Sequence, residues 1–391
     1  MRVVVCVLKN YYEGINMHVH APLSLITTIL LVAVLGAVPA TALAAGTGET
    51  AMFRFNAQHT GDYSLVAGAC VSDGHLNWTY STEGIVDSSP TVANGIVYVG
   101  GWDRNIYALN AETGKLVWSY ATGGPVESSP AVANRTVYVG SDDGNVYALN
   151  ARTGAKVWNY TTYAAVLSSP TIANRTVFVG GDDGNVYALN ATTGMKVWSF
   201  AAKDAVWSSP AVANGTVYIG SWDGNVYALN ARTGKLVWSY ATHGHVDSSP
   251  AVANGVVYVG SEDGNVYALN ARTGAKVWSY ATQGHVDSSP AVANGVVYEG
   301  SKDGNVYALD AETGGLMWSY TTWGHADSTP IIANGVVYVG SGDHNIYALD
   351  AGTGEKVWSY MTGNSLGSPA VANGIVYVGS GDHSIYAFGK S

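Results

Sequence analysis

The sequence predicts an all-β protein, an eight-bladed β-propeller of four-stranded antiparallel blades. Two observations predict it. A tryptophan returns every forty residues, and each forty-residue unit holds four short strand patterns separated by turn dipeptides. A third observation, the unmatched strand patterns at the two ends of the repeat, predicts how the ring closes. The periodic tryptophans are Trp78, Trp118, Trp158, Trp198, Trp238, Trp278, Trp318 and Trp358.

The unit that follows Asp247 illustrates one blade. Its four strand patterns read "SSPAVAN", "VVYVGS", "NVYALN" and "KVWSYAT", and the dipeptides Asn-Gly, Asp-Gly and Thr-Gly separate them. Asn-Gly and Asp-Gly supply the positive φ angles that tight hairpins require. A four-stranded meander cannot bury both of its faces alone, but radial stacking of copies buries them. The unit therefore predicts a propeller blade.

The two ends of the repeat predict the closure. The chain stops at Ser391, just after the third strand pattern of the last unit. A fourth-strand pattern, "HLNWTYS" around Trp78, precedes every first strand. The simplest arrangement lets this N-terminal strand complete the C-terminal blade, because that removes an open sheet edge. Residues 75–391 are therefore assigned to the propeller.

The N-terminal segment predicts export. An apolar run from Leu23 to Gly36 has the length of a signal-peptide core, and "AVPATALA" offers small residues for cleavage near Ala44. We interpret residues 1–44 as a signal peptide, with an uncleaved membrane anchor as the alternative. Residues 45–74 are assigned to an N-terminal extension. The propeller is then expected at the cell surface, in the periplasm or outside the cell, and in membrane contact only through an uncleaved segment.

The net charge argues against a nucleic-acid partner. The chain has 18 Lys and Arg against 28 Asp and Glu, a formal net charge of −10. Binding to phosphates requires clustered basic side chains. We therefore expect no nucleic-acid partner.

The repeat also resembles a known family. The pattern Ala108-x-Asn110-x-x-Thr113-Gly114-x-x-x-Trp118 resembles the tryptophan-docking motif of the pyrroloquinoline-quinone (PQQ) repeat family, and it recurs through Trp358. In that family the indole packs between neighbouring blades, which implies a structural role for the eight periodic tryptophans. The resemblance covers about residues 75–388. Upstream, "MFRFNAQHTG" is similar to the segment that precedes the propeller in exported members.

The family resemblance leaves function open, because the family includes quinoprotein alcohol dehydrogenases, the propeller lipoprotein of the barrel-assembly machinery and non-catalytic surface proteins. A PQQ site needs cations for three carboxylates and oxygen ligands for calcium. Quinoprotein dehydrogenases also tend to carry adjacent cysteines and long insertions, which this sequence lacks. We expect a non-catalytic protein without a cofactor. A PQQ-dependent dehydrogenase with PQQ and calcium is the alternative, and a structural surface-layer component is the second.

One face of the ring is predicted to bind the partner. The turns between second and third strands and the links between blades share this face, and they differ between copies while the strands hardly change. We call it the variable face. Exposed aromatic side chains are typical of contacts with a protein or glycan, although each could instead pack on its own loops. The aromatic candidates are Trp102, Tyr163, Trp207, Trp222 and Trp323.

Histidines and acids recur on the same face. Equivalent positions in three consecutive blades hold His245, His285 and His325, which count among the binding-face candidates, and each lies two residues before an acid, Asp247, Asp287 or Asp327. Histidine and carboxylate together suit zinc. Duplication of a blade would copy the pair without any metal, and we favour that interpretation, so no metal is expected. The acidic column continues at Asp87 and Glu127, which we interpret as solvated loop ends rather than a rim that attracts cations.

Overall fold

The computed structural model describes residues 50–51, 56–63 and 72–389. The predicted signal peptide lies outside these ranges, as does part of the 45–74 extension. The described chain forms eight antiparallel sheets, which confirms the all-β eight-bladed propeller. None of the described segments forms a helix of the length and hydropathy needed to cross a bilayer.

Seven blades are continuous in sequence, and we number them by their first strands. The two N-terminal strands are β1 (Thr50–Ala51) and β2 (His75–Ser81). Blade 1 contains β3 (Thr91–Ala93), β4 (Ile96–Gly100), β5 (Asn105–Asn110) and β6 (Leu116–Ala121). Blade 2 contains β7 (Ala131–Ala133), β8 (Thr136–Gly140), β9 (Asn145–Asn150) and β10 (Lys156–Thr161). Blade 3 contains β11 (Thr171–Ala173), β12 (Thr176–Gly180), β13 (Asn185–Asn190) and β14 (Lys196–Ala201).

The remaining blades repeat the same lengths. Blade 4 contains β15 (Ala211–Ala213), β16 (Thr216–Gly220), β17 (Asn225–Asn230) and β18 (Leu236–Ala241). Blade 5 contains β19 (Ala251–Ala253), β20 (Val256–Gly260), β21 (Asn265–Asn270) and β22 (Lys276–Ala281). Blade 6 contains β23 (Ala291–Ala293), β24 (Val296–Gly300), β25 (Asn305–Asp310) and β26 (Leu316–Thr321). Blades 7 and 8 contain β27 (Ile331–Ala333), β28 (Val336–Gly340), β29 (Asn345–Asp350) and β30 (Lys356–Met361); and β31 (Ala370–Ala372), β32 (Ile375–Ser380) and β33 (Ser384–Gly389).

The N-terminal strand β2 closes the ring. It pairs antiparallel with β33, from His75 opposite Gly389 to Ser81 opposite Ser384, and the sheet order is β2-β33-β32-β31. This confirms the predicted closure. The two ends of the chain therefore supply one four-stranded sheet together, and β33 is covered by β2 as the third strand of each other blade is covered by its fourth.

The periodic tryptophans lie between blades. The indole Nε1 of Trp238 in blade 4 donates a hydrogen bond to the Ala271 carbonyl of blade 5 at 2.9 Å. Tyr218 donates to the same oxygen at 3.0 Å, and its ring centroid lies 5.8 Å from that of Trp238. The indole covers Gly274, where a Cβ atom would approach the ring to 2.7 Å. The glycine of the Thr-Gly turn is therefore required by the tryptophan that covers it.

The same contact completes the closure. Trp358 of blade 7 donates to the Ser72 carbonyl at 2.9 Å, and its indole covers Gly74. Residues immediately before β2 thus take the place that the Thr-Gly turn has in the other blades. Both the strand and the inter-blade contact of the closing blade come from the N-terminal side.

The Ser-Ser-Pro segments link neighbouring blades near the channel. The amide of Ser129 donates to Ser169 Oγ at 2.9 Å, and Ser128 Oγ accepts from the Gly140 amide and donates to the Ser168 carbonyl. Comparable bonds recur around the ring. Sequence reasoning missed this role, although the recurrence of Ser-Ser-Pro in most copies was the available signal.

The N-terminal extension contacts the innermost strands, which line the central channel. The backbone N–H groups of successive inner strands donate to its carbonyls: Val252 to Gln58 at 2.8 Å, Val292 to Thr60 at 2.7 Å and Ile332 to Gly61 at 2.8 Å. The strand β1 also pairs with β7, so the sheet of blade 2 has five strands instead of the expected four. These contacts satisfy inner-strand donors that have no neighbouring strand of their own.

Replacing Trp238 by alanine is expected to reduce the free energy of unfolding by roughly 3–5 kcal/mol, because a large aromatic side chain leaves a packed interface. The matched control is Trp323→Ala, since that indole is 90% exposed and its loss should change stability by less than about 0.5 kcal/mol. Chemical denaturation measures both. Equal effects of the two substitutions would contradict the inter-blade role.

Candidate binding face

An aspartate in each blade holds the loops of the variable face together. In blade 5, Asp263 Oδ1 accepts the Asn265 amide at 3.0 Å, while Oδ2 accepts the Tyr267 hydroxyl at 2.6 Å and the His243 amide at 3.1 Å. Burial alone would raise the pKa of Asp263, but these hydrogen bonds outweigh it and lower the pKa. Each aspartate thus fixes its hairpin to the link that enters the blade, so the variable side chains project from a rigid backbone.

The tip residue of each hairpin lies beside that incoming link as well. The amides of Trp102, Trp222 and Glu262 donate to the carbonyls of Ile85, Ala205 and His245, each at 2.9 Å. Backbone position is therefore the same in every blade. Differences between blades on this face come from the side chains.

Three of the five aromatic candidates are exposed. Tyr163 is 92% exposed, Trp323 is 90% exposed and Trp102 is 44% exposed. The backbone amides of Tyr163 and Trp323 are held by Asp183 and Asp343. Trp323 also lines an open pocket of about 400 Å³ with Lys302 and His325. These aromatic side chains are displayed to solvent from a fixed backbone.

The other two aromatic candidates pack against their neighbours. The rings of Trp207 and Trp222 lie with centroids 4.1 Å apart, and Trp222 stacks on His245 at 4.9 Å. The indole Nε1 of Trp207 donates to Asp182 Oδ1. The structure therefore places both in a half-buried cluster between blades 3, 4 and 5.

Carboxylates recur on this face, at hairpin tips and near the ends of the links between blades. We call them the acidic rim: Asp87, Glu127, Asp142, Asp182, Asp247, Glu262, Asp287 and Asp327. Burial raises the pKa of Glu127 to about 7, with further increases from Asp142, Asp87 and Asp182. Burial likewise raises the pKa of Asp247 to about 6, with Asp287 and Glu262 adding to it. Glu127, which the sequence analysis interprets as a solvated loop end, is half-buried beside other carboxylates.

The three histidines do not converge. His245 Nδ1 lies 3.5 Å from Glu262 Oε2, and His325 Nδ1 lies 2.6 Å from the Lys302 carbonyl. His285 instead groups with Asp287 and Glu262, whose ligand atoms all lie within 4.8 Å of one another. Across the described ranges, this is the one such group of three. Glu262 was not among the candidates from the sequence, because it lies on the hairpin tip and outside the repeated His-x-Asp pattern.

Comparison with known proteins places the fold in a family. The family described as outer membrane protein assembly factor BamB matches residues 64–199, 182–286 and 264–390. The chain belongs to this PQQ-like propeller family. The comparison with curated proteins gives no match.

Solved structures share the family fold at low identity. The structure of BamB from Moraxella catarrhalis matches with a TM-score of 0.71 and 21% identity, over 80% of this chain and 99% of that one. The computationally designed Ika8 protein matches with a TM-score of 0.70 and 21% identity, over 79% and 98%. The quinohemoprotein alcohol dehydrogenase of Comamonas testosteroni matches with a TM-score of 0.75 and 18% identity, over 90% and 82%. At these identities the likeness concerns the fold alone.

The variable face does not fit the cofactor of the quinoprotein relatives. PQQ carries three carboxylates, whereas this face sets the eight carboxylates of the acidic rim against three basic side chains, Arg104, Lys203 and Lys302. The Lys302 ammonium is the one that lies among the rim carboxylates. That ammonium is already paired with Asp287 Oδ2 at 2.5 Å. The carboxylates of the rim would repel a polyanion at close range, because both are negatively charged. The rim therefore suits a cationic group.

Replacing Glu127 by glutamine is expected to stabilise the protein at pH 8. The pKa of Glu127 is about 7 in the folded protein, above the ordinary value of 4.5, so the folded state favours the protonated carboxyl. The contribution of Glu127 to stability is therefore fully present below pH 4.5 and is lost as the pH rises through 7. With allowance for solvent screening, the substitution should raise the free energy of unfolding at pH 8 by about 1 kcal/mol, and this increase should vanish near pH 4.5. Thermal unfolding across this range measures it. The control is Glu112→Gln, an exposed carboxylate on the opposite face, and the same pH-dependent gain in that variant would refute the assignment.

Proposed function

We propose that this protein is an exported, non-catalytic binding propeller that holds a protein partner on its variable face. Membership of the BamB family supports a binding or scaffold role, and the apolar run at residues 23–36 supports export. The observation that carries the proposal is the display of Tyr163, Trp323 and Trp102 to solvent, since none of the three is needed to hold the blades together.

The positions of these aromatics favour a macromolecular partner. Trp102 belongs to blade 1, Tyr163 to the link between blades 2 and 3, and Trp323 to the link between blades 6 and 7. A ligand that contacts more than one of them must extend across the ring mouth. A protein surface of ordinary interface size does so, whereas one sugar unit stacks on one ring. We therefore favour protein over glycan.

The acidic rim indicates the charge of the partner. Burial is the main cause of the raised pKa of Glu127 and of Asp247, and neighbouring carboxylates raise both pKa values further by repulsion. Basic side chains from a partner would relieve that repulsion while apolar groups cover the aromatics. The partner chemistry that fits is a basic protein surface with exposed apolar residues. The channel does not serve as the site in this proposal, because the N-terminal extension contacts its lining strands.

Site-specific photo-cross-linking in the native cells tests the proposal. A photoreactive amino acid at Trp323 or Tyr163 is expected to give protein adducts. The same group at Met195 is the control, since Met195 is 70% exposed in a Thr-Gly turn on the opposite face. Adducts from Met195 and none from the other two positions would contradict the proposal.

The cross-linked partner then allows a quantitative test. Replacing Trp102, Tyr163 and Trp323 together by alanine is expected to weaken its binding at least about a hundredfold, as loss of several central aromatic contacts does. Replacing Arg152 and Arg232 on the opposite face should leave affinity and thermal stability unchanged. Normal binding by the triple variant would refute the proposal, and binding of a purified glycan that the triple variant loses would replace protein by glycan.

The enzyme alternative is tested with the same protein. Addition of PQQ and calcium is expected to give neither a protein-bound quinone absorbance nor dye-linked alcohol oxidation, because the acidic rim repels a trianion. Either signal would instead support the PQQ-dependent dehydrogenase.

A further inference from the structure

We infer that the gap between blades 5 and 6 contains a zinc-binding site formed by Glu262, His285 and Asp287. The ligand atoms of these three residues lie within 4.8 Å of one another. They come from two segments, the hairpin tip of blade 5 and the link that enters blade 6. The inference does not depend on the identity of any partner.

The backbone of both segments is held in place. The Glu262 amide donates to the His245 carbonyl at 2.9 Å, and the His285 carbonyl accepts the Lys302 amide at 2.9 Å. Between His285 and Asp287, the Val286 amide donates to the Ser261 carbonyl at 3.2 Å. The three ligands therefore project from fixed positions, as a preorganised metal site requires.

Asp287 is arranged as metal-binding carboxylates commonly are. Its Oδ2 lies 2.5 Å from Lys302 Nζ, and its Oδ1 is buried with no hydrogen-bond partner among the described residues. An outer partner thus orients the carboxylate and leaves one oxygen bare. A buried oxygen without a partner is costly, and a bound cation would satisfy it. Glu262 has a comparable neighbour in His245, whose Nδ1 lies 3.5 Å from Oε2.

The charges around the gap favour a dication. Asp247 lies close enough to Asp287 and Glu262 for their charges to raise its pKa. Asp247, Glu262 and Asp287 together carry three negative charges when ionised, and Lys302 supplies one positive charge. A divalent ion would balance the two negative charges that Lys302 leaves uncompensated.

The neighbouring blades provide an internal comparison. The His-x-Asp pair occurs three times, at His245, His285 and His325, but the tip residue that faces each pair differs. Trp222 stacks on His245, and Lys302 contributes its carbonyl to His325. Glu262 lies between the first two pairs, 3.5 Å from His245, but among the described residues only the second pair, His285 and Asp287, forms a group of three possible ligands with it. Duplication explains the three pairs, but it does not explain the third ligand.

The ligand set selects zinc over calcium and magnesium. One imidazole and two carboxylates suit zinc, which often takes three protein ligands and leaves one position open. Calcium and magnesium prefer oxygen ligands only. Because His285 is exposed, the open position would face solvent on the variable face.

Calorimetric titration of the metal-free full protein with zinc chloride tests the site. One ion per chain is expected, and an excess of calcium or magnesium should not displace it. Glu262→Gln and His285→Gln should each weaken zinc binding at least about tenfold. Both positions are solvent-accessible, so thermal unfolding in chelator should match the unsubstituted protein, while zinc should raise the melting temperature of the unsubstituted protein alone.

The matched control is Asp87→Asn, which removes one rim carboxylate on a different side of the ring and should leave zinc binding unchanged. Equal losses from Asp87→Asn and Glu262→Gln would mean that zinc responds to the overall negative charge, and the site would be refuted. Absence of zinc binding, or unchanged binding in His285→Gln, would refute it as well.

Discussion

The indole that bridges each gap between blades is the contact on which the rest of the molecule depends. It buries a large apolar surface and satisfies a backbone carbonyl of the next blade at 2.9–3.1 Å, and the turn glycine leaves room for it. Because each blade contacts its neighbours through the same residues, stability is distributed around the ring as nearest-neighbour interfaces. The loops of the variable face take no part in these contacts, so their side chains can differ without loss of the fold.

The rigidity of that face has a second source. The turn aspartate ties each hairpin to its incoming link through a tyrosine hydroxyl and two amides, as Asp263 does with Tyr267. A side chain such as Trp323 is therefore presented from an ordered backbone, which lowers the entropy lost on binding. The N-terminal extension hydrogen-bonds to the channel wall, and the chemically diverse residues lie around the mouth. Function on this propeller is thus expected at the rim, away from the axis.

Much of the fold was predictable because it is repetitive. The forty-residue period, the turn dipeptides and the surplus strand at Trp78 predicted the blades and their closure. The contacts of the extension were not predictable, because residues 56–63 do not share the repeat and bond to strands more than a hundred residues away. The site was only partly predictable. Equivalent positions in a ring lie one blade apart, and the three histidines do not form one group of ligands. The ligand beside His285, Glu262, comes from a hairpin tip that the repeat leaves free to vary.

Hydroxyl-radical footprinting of intact native cells tests the recognition claim most directly, because it does not require the partner to be identified. Oxidation of Trp323 and Tyr163 is compared with oxidation of Met195 on the opposite face, in cells and in the purified protein; all three side chains are exposed. We expect Trp323 and Tyr163 to be protected in cells and reactive in the purified protein, and Met195 to react equally in both. Protection of Met195 with unchanged reactivity of Trp323 and Tyr163 would contradict it.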